Sequence, residues 1–275
     1  MAEHDRRGGG ARGGRGGGGA RPPQPAHRGA GARSTKARRT GEERTAEQQR
    51  YDGPPLPEDI TGRELDTATR QQLRSLPDRL ATRIARHLVA AGRVVESDPE
   101  TAYQHTLAAR ARATRLAVVR EACGEAAYLA GHFPEALTEL RAARRMNGAP
   151  DFLPVMADCE RALGRPERAL ALARDPAVEK LDPASRVEML IVAAGARRDM
   201  DQPDMAVRML EVKDLNSHSH APWVARLRYA YADALLASGR RSDAVEWFHR
   251  VVAVDSEHLT DADERLVELE GPQPG

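Results

Sequence analysis

From residue 64 onward, apolar positions recur every three or four residues almost without a break, the period of amphipathic helices that turn one face to a core. Leu65, Leu73, Leu76 and Leu80, followed by Ile84, Leu88 and Val89, predict two helices, with Pro77 in the first turn of the second. That helix is expected to end near Ala91, with Gly92 in the cap position. The next begins at DPETA, where the Asp98 carboxylate can accept from first-turn amides and Pro99 has no amide to satisfy. It runs through Tyr103 and Leu107 to about Ala113. The same periodicity predicts helices over 116–130, 134–146, 151–163, 166–174, 183–200, 203–212, 222–238 and 242–254, with stop signals at Asn147-Gly148-Ala149-Pro150 and Asp175-Pro176. A last helix over 261–269 carries Asp261, Asp263, Glu264 and Glu268, with Glu270 just beyond, the charge of a terminal cap that faces water.

The turns between these helices repeat. GHFPEA at 131–136 recurs as GRPERA at 164–169, DQPDMA at 201–206 and GRRSDA at 239–244. Aligning the alanine that ends each turn gives Ala102, Ala136, Ala169, Ala206 and Ala244, at spacings of 34, 33, 37 and 38. A fixed period of this size marks a stacked array. A small side chain there lets two helices approach closely, and Leu140, Leu210 and Phe248, four residues on, are expected to pack toward the next unit, with Ala173 in that place in the second. Phe133 is expected to fold back between its two helices.

These positions resemble the tetratricopeptide repeat, whose period is about 34 residues with two antiparallel helices per unit. The resemblance rests on Gly124, Tyr128, Gly131, Phe133, Ala136, Leu140 and Ala143 in one unit and on Leu227, Tyr231, Ala232, Gly239, Ala244 and Phe248 in the last. The chain departs from the family at Asp201, where glycine is usual, in the long connection GRVVESDP, and in missing first-helix aromatics and closing prolines. The chain as a whole also resembles actinobacterial tetratricopeptide proteins, and its preference for Arg over Lys and its abundant Ala fit a GC-rich genome. The resemblance implies an all-α fold: a right-handed superhelical α-solenoid of about five helix pairs plus a C-terminal capping helix, preceded by a disordered tail. It brings no reaction with it. The expected organisation is a tail over 1–41, a proline-containing linker over 42–63, the repeat domain over 64–270 and a short tail over 271–275.

Charge separates the tail from the rest. Residues 1–41 carry ten basic and two acidic residues, and residues 42–275 carry 32 basic and 39 acidic ones. Twelve of the 23 glycines lie in 1–41, which has no Leu, Ile, Val, Phe, Tyr or Trp and therefore too little apolar surface to offset the entropy of ordering it. RGG triplets begin at Arg7, Arg12 and Arg15, candidate contacts to RNA or the ribosome, since Arg on a flexible glycine chain meets phosphates in many geometries. The tail has no aromatic residue for a base to stack on, so a purely solubilising segment is the competing reading. In the linker, Pro54, Pro55 and Pro57 enforce an extended path, and Tyr51, Leu56 and Ile60 are the side chains that could clip it to the helices. Cys123 and Cys159, in helices and without metal-type spacing, read as buried thiols in a reducing compartment. No apolar run approaches the roughly 20 residues of a membrane span, and the N-terminus lacks the apolar core of a signal peptide. A cytoplasmic protein without membrane contact is expected.

In a curved array the first helix of each pair lines the concave surface. That register predicts that Glu121, Glu125, Asp158 and Asp233 point into a groove, with Tyr128 and Tyr229 near them. Such a groove suits a protein or peptide partner rich in Arg or Lys, the chain's own tail included. The competing reading is a solvated acidic face. The lysine and asparagine set of a C-terminal carboxylate clamp is missing. The arginines at 141, 144, 145, 161, 165, 168, 197 and 198 could offer a phosphate face, although helix-end arginines also serve the last carbonyls. His218 and His220 lack a nearby third ligand, and Trp223 and Trp247 read as spacers between helices. There is no nucleophile triad order, P-loop, dinucleotide-binding glycine motif or paired metal-ligand spacing. The sequence therefore predicts no enzyme, no cofactor and no metal. It points to a non-catalytic partner-binding module, with RNA or ribosome association through the tail as the alternative; the oligomeric state is left open.

Overall fold

A computed structural model describes residues 51–271. The tail over 1–41, with Arg7, Arg12 and Arg15, lies outside them. Among the described residues the chain is all-helical, with no strand. The α-helices are α1 (Thr67–Leu73), α2 (Asp78–Val94), α3 (Pro99–Arg112), α4 (Ala117–Leu129), α5 (Phe133–Asn147), α6 (Leu153–Ala162) and α7 (Pro166–Ala173). They continue as α8 (Pro183–Asp199), α9 (Pro203–Leu210), α10 (Pro222–Ala237), α11 (Arg241–Val252) and α12 (Ala262–Glu270). Two 3-10 segments, Pro176–Lys180 and Lys213–Asn216, follow α7 and α9.

The four repeated turns share one backbone geometry. Gly131, Gly164, Asp201 and Gly239 all take left-handed φ, at 77°, 69°, 58° and 80°. At the first, the Gly131 amide donates to the Tyr128 carbonyl at 3.0 Å and the His132 amide to the Ala127 carbonyl at 2.8 Å, so two carbonyls left open by the helix end are satisfied. The same two bonds close the ends of α6, α8 and α10, through Arg165 to Glu160, Gln202 to Arg197 and Arg240 to Leu235, each at 2.9 Å. A Cβ on Gly131, Gly164 or Gly239 would meet nothing within 4 Å, so these positions are constrained by φ and not by space. Pro166, Pro203 and Arg241 open α7, α9 and α11, Pro134 is second in α5 after Phe133, and the aligned alanines follow. Ala102, Ala136, Ala169, Ala206 and Ala244 are all 0% exposed. Leu140, Leu210 and Phe248 are buried as well, Ala173 is half-buried, and Phe133 is half-buried with its ring 6.1 Å from that of Tyr128.

Helices adjacent in sequence pack on each other, most extensively α4 on α5, α2 on α3 and α10 on α11. Helix α8 packs on both α6 and α10, and α4 touches α2 and α6. A Cβ on Gly124 would lie 2.6 Å from Leu140 Cδ2, which shows how closely α4 and α5 approach. The alanine spacings widen to 37 and 38 where the 3-10 segments are inserted: α7 and α9 run for only 8 residues each, and Leu181 and Leu215 tuck the following segments into the core.

One expected boundary is overturned. Helix α2 does not end at Gly92 but continues to Val94. The Val94 carbonyl then accepts the amides of Ser97 and Asp98, while the Asp98 carboxylate takes the Thr101 amide at 3.0 Å to start α3. The stop comes from that local capping and not from the glycine, which keeps helical φ. Pro77 is the N-cap residue of α2, one position before its first turn.

The described part of the linker is strapped across α2 and α3. Ile60 is 1% exposed, and Leu56 is half-buried beside it. Arg112 donates to the Tyr51 carbonyl at 2.6 Å, Arg86 to the Pro57 carbonyl at 2.8 Å, and Arg83 pairs with Asp52 at 2.9 Å. The chain passes so close at Gly53 that a Cβ there would lie 2.5 Å from the Ala108 Cβ. Under this strap His87 and His105, both buried, meet Nδ1 to Nδ1 at 3.1 Å, a contact in which one ring must donate and the other accept. Burial, the neighbouring His105 and the cationic Arg83, Arg112 and Arg86 push His87 down to about 4, and burial lowers His105.

The turn geometry predicts that Asp201→Gly stabilises the protein by about 1 kcal/mol in urea unfolding, and that Gly131→Ala destabilises it by about as much, because only glycine takes left-handed φ without steric cost. The histidine pair predicts a pH dependence. An imidazole that titrates near 6.5 when unfolded and near 4 when folded takes its proton first in the unfolded chain, so stability is full above pH 6.5 and drains as the pH falls toward 4. Urea midpoints at pH 4.5 and 7.5 should differ less in a His87→Leu/His105→Leu variant than in the wild type; an unchanged difference would exclude the pair as the cause.

Candidate functional site

Helices α4, α6, α8 and α10, each followed by a left-handed turn residue, carry polar side chains that meet one another. Tyr128, near the end of α4, donates its hydroxyl to Asp158 Oδ2 on α6 at 2.7 Å. The other oxygen of Asp158 accepts from Arg161 Nη1, one turn along, at 2.9 Å. Arg161 also reaches forward to Asp199 on α8, through Nε at 2.8 Å and Nη2 at 3.2 Å, a forked contact that a lysine could not make. The pattern continues: Arg198 of α8 binds Asp233 of α10, whose other oxygen accepts from Arg265 of α12 at 3.2 Å. Arg226 of α10 returns to Glu188 of α8 at 2.6 Å. Gly195 makes room for this chain of contacts, since a Cβ there would lie 2.5 Å from the Arg161 Cζ.

Around these contacts lies an open cleft of about 460 Å³, walled by Tyr128, Pro154, Val155, Asp158 and Arg161 on one side and by Ser185, Glu188, Ile191, Val192 and Arg226 on the other. Its electrostatics follow from partial burial. Desolvation raises Glu188 above the ordinary carboxylate range, against the opposing pull of Arg226. Desolvation also raises Glu125, whose carboxylate has no hydrogen-bond partner among the described residues although the residue is solvent-exposed. Burial, then the hydrogen bond to Asp158, raises the Tyr128 phenol.

The residues expected in a groove are thus distributed unevenly. Tyr128 and Asp158 touch and line the cleft; Asp233 joins α8, α10 and α12 further along. Glu121, nearer the start of α4, accepts from Asn147 Nδ2 at the end of α5 at 2.6 Å. Tyr229 packs edge-on against Phe248 at 5.5 Å and is raised by burial and by Asp261. The arginines were the least legible members. Asp158 and Arg161 stand three apart on one helix, but the pairings between helices join residues 35 and 38 positions apart, about one repeat, and a helical period within one element does not reveal them. Opposite charges one repeat apart are the signal that would have.

Most of the arginines considered as a phosphate face hold acids. Arg141 and Arg165 bind the buried Glu160, Arg144 binds Asp175 at 2.8 Å, and Arg197 donates to Gln202 at 2.7 Å. Glu139, also buried, is held by Arg110 and by Arg120 at 2.6 Å. Cys123 and Cys159 are buried free thiols, pushed by burial up to about 11 and about 12. His218 and His220 are exposed, and among the described residues no three His, Cys, Asp or Glu gather as metal ligands. No helix among the described residues is long and apolar enough to cross a membrane. Neither a protein-family model nor a curated protein matches the chain.

The contact between Gly195 and Arg161 predicts a coupling. Alanine for glycine within a helix gains about 1 kcal/mol. In the wild type that gain is offset because the new methyl group displaces Arg161 from between Asp158 and Asp199. In an Arg161→Ala background, Gly195→Ala should stabilise by the full amount, giving a double-mutant coupling of about 1 kcal/mol in urea unfolding; additive effects would refute it.

Proposed function

We propose that this chain is a non-catalytic, intracellular adaptor: its helix pairs stack as a tetratricopeptide-like, right-handed α-solenoid, and the row of first helices holds an extended segment of a protein partner. The repeated left-handed turn, the five buried alanines and the packing of α8 on α6 and α10 support the array. The observation that carries the binding reading is the cleft between α4, α6, α8 and α10, lined both by the polar Tyr128, Asp158, Arg161, Glu188 and Arg226 and by the apolar Val155, Ile191 and Val192. An extended peptide has N–H and C=O groups of its own that such a surface can serve, and an apolar wall takes its side chains. Because Asp158 and Asp233 already hold arginines, the sites left for a basic side chain of the partner are Glu125 and, by exchange with the half-exposed Arg226, Glu188. The partner is therefore a segment of mixed polarity with one or two basic residues, more than a uniformly basic one.

The test uses affinity capture with the full chain, a chain lacking 1–41 and a Glu125→Arg/Glu188→Arg variant, with and without nuclease. A partner bound in the cleft survives nuclease and tail removal and falls at least tenfold with the paired charge reversals, whose helix content should match wild type by circular dichroism. Loss on nuclease treatment and tail removal would instead favour RNA or ribosome association through the Arg/Gly tail. Retention by the charge-reversed variant overturns the cleft reading.

A further inference from the structure

A second cleft, of about 570 Å³, opens on another face of α8. It exists because α7 and α9 are short. Each ends after 8 residues where α5 runs for 15, and the chain continues in 3-10 segments whose Val178, Glu179, Lys213 and Asp214 line the cleft beside α8. Leu170, Val187, Met189, Leu190, Ala193 and Met209 form an apolar floor. The two clefts share helix α8 and no lining residue: one uses 183, 186, 187, 189, 190, 193 and 197, the other 185, 188, 191 and 192.

The rim is charged, and mostly in one sign. Arg174, Arg186, Arg197 and Lys213 line it against Glu179 and Asp214. Arg186 is committed to the carbonyls of Glu179 and Leu181, at 3.1 and 3.2 Å. Arg174 and Lys213 are exposed, and neither has an ion pair or side-chain hydrogen bond among the described residues. The Nε–H of Arg197 is buried and finds no acceptor there, although its Nη1 is held by Gln202. A buried donor without an acceptor is costly, and an incoming anion is one way to satisfy it. The volume falls within the roughly 300–1,000 Å³ of small-molecule sites, which combine an apolar lining with a few fixed polar groups.

We propose that this cleft binds a free amphipathic carboxylate with a slender apolar body, of the size of a medium-chain fatty acid. The chain lies along the floor from Leu170 to Met209, and the head is held at the rim by Arg174, Lys213 and the open N–H of Arg197. The site is independent of the partner-binding face and stands whether or not that reading does.

Decanoate is the probe, with decanol as the uncharged analogue and anionic phospholipid vesicles as the lipid-bound alternative. Decanoate should bind the full-length protein in calorimetry with half-saturation below about 1 mM, at least tenfold tighter than decanol. An Arg174→Glu/Lys213→Glu variant, changed only at exposed positions, should remove that preference and leave decanol binding unchanged. Lys213 and Lys180 are the two lysines among the described residues and both are exposed, but only Lys213 lines the cleft, so decanoate should slow amine acetylation at Lys213 severalfold and leave Lys180 unaffected. Equal binding of decanoate and decanol, binding to vesicles without binding to free decanoate, or equal protection of the two lysines would each overturn the assignment.

Discussion

The structure depends on how closely two helices can approach just after a reversal of the chain. At five positions the contact is made by a methyl group that water does not reach at all. Anything larger would push the second helix off the first, and with it the leucine or phenylalanine four residues further on that fills the space toward the next element. The left-handed residue ahead of each of these alanines in four of the turns serves the same end. It closes the first helix with two backbone bonds and reverses the chain within three residues, so that the second helix starts in register.

Much of this was legible in the sequence. Helical periodicity places every helix to within a few residues, and the alignment of the short turns picks out the five buried alanines. The uneven spacing was visible too, but its cause was not. DPAVEK and VKDLN have no helical period, and nothing local says that they coil as 3-10 turns pinned by Leu181 and Leu215. Gly92 misled for a complementary reason: glycine ends a helix only where the next residues can cap it, and here Asp98 did so six residues later. The polar face was read least well. Its acids were found by register, but their arginine partners lie one repeat away, and a carboxylate reads as open until the side chain from the next unit is in place.

Buried charge shows the same dependence on neighbours. Glu139 and Glu160 are almost wholly enclosed, each between two arginines drawn from other elements or turns. Removing the sole partner of a buried charge costs about 3–5 kcal/mol in comparable cases, and the second arginine on each glutamate lessens what the loss of either one would cost. Helix α8 is the element where these demands converge, with one face committed to ion pairs with its neighbours and another left apolar because the helices beside it are short.

The extensive packing contacts among the described helices all join elements no more than two apart in order. No distant segment has to be found before a given turn of helix is secure, so the entropy of closing long loops scarcely enters the folding barrier. A chain emerging from the ribosome can consolidate each helix against the one just made, and breathing can begin at α1 or α12 without loosening the middle. The short reach of its contacts lets the chain grow in order and fray in order.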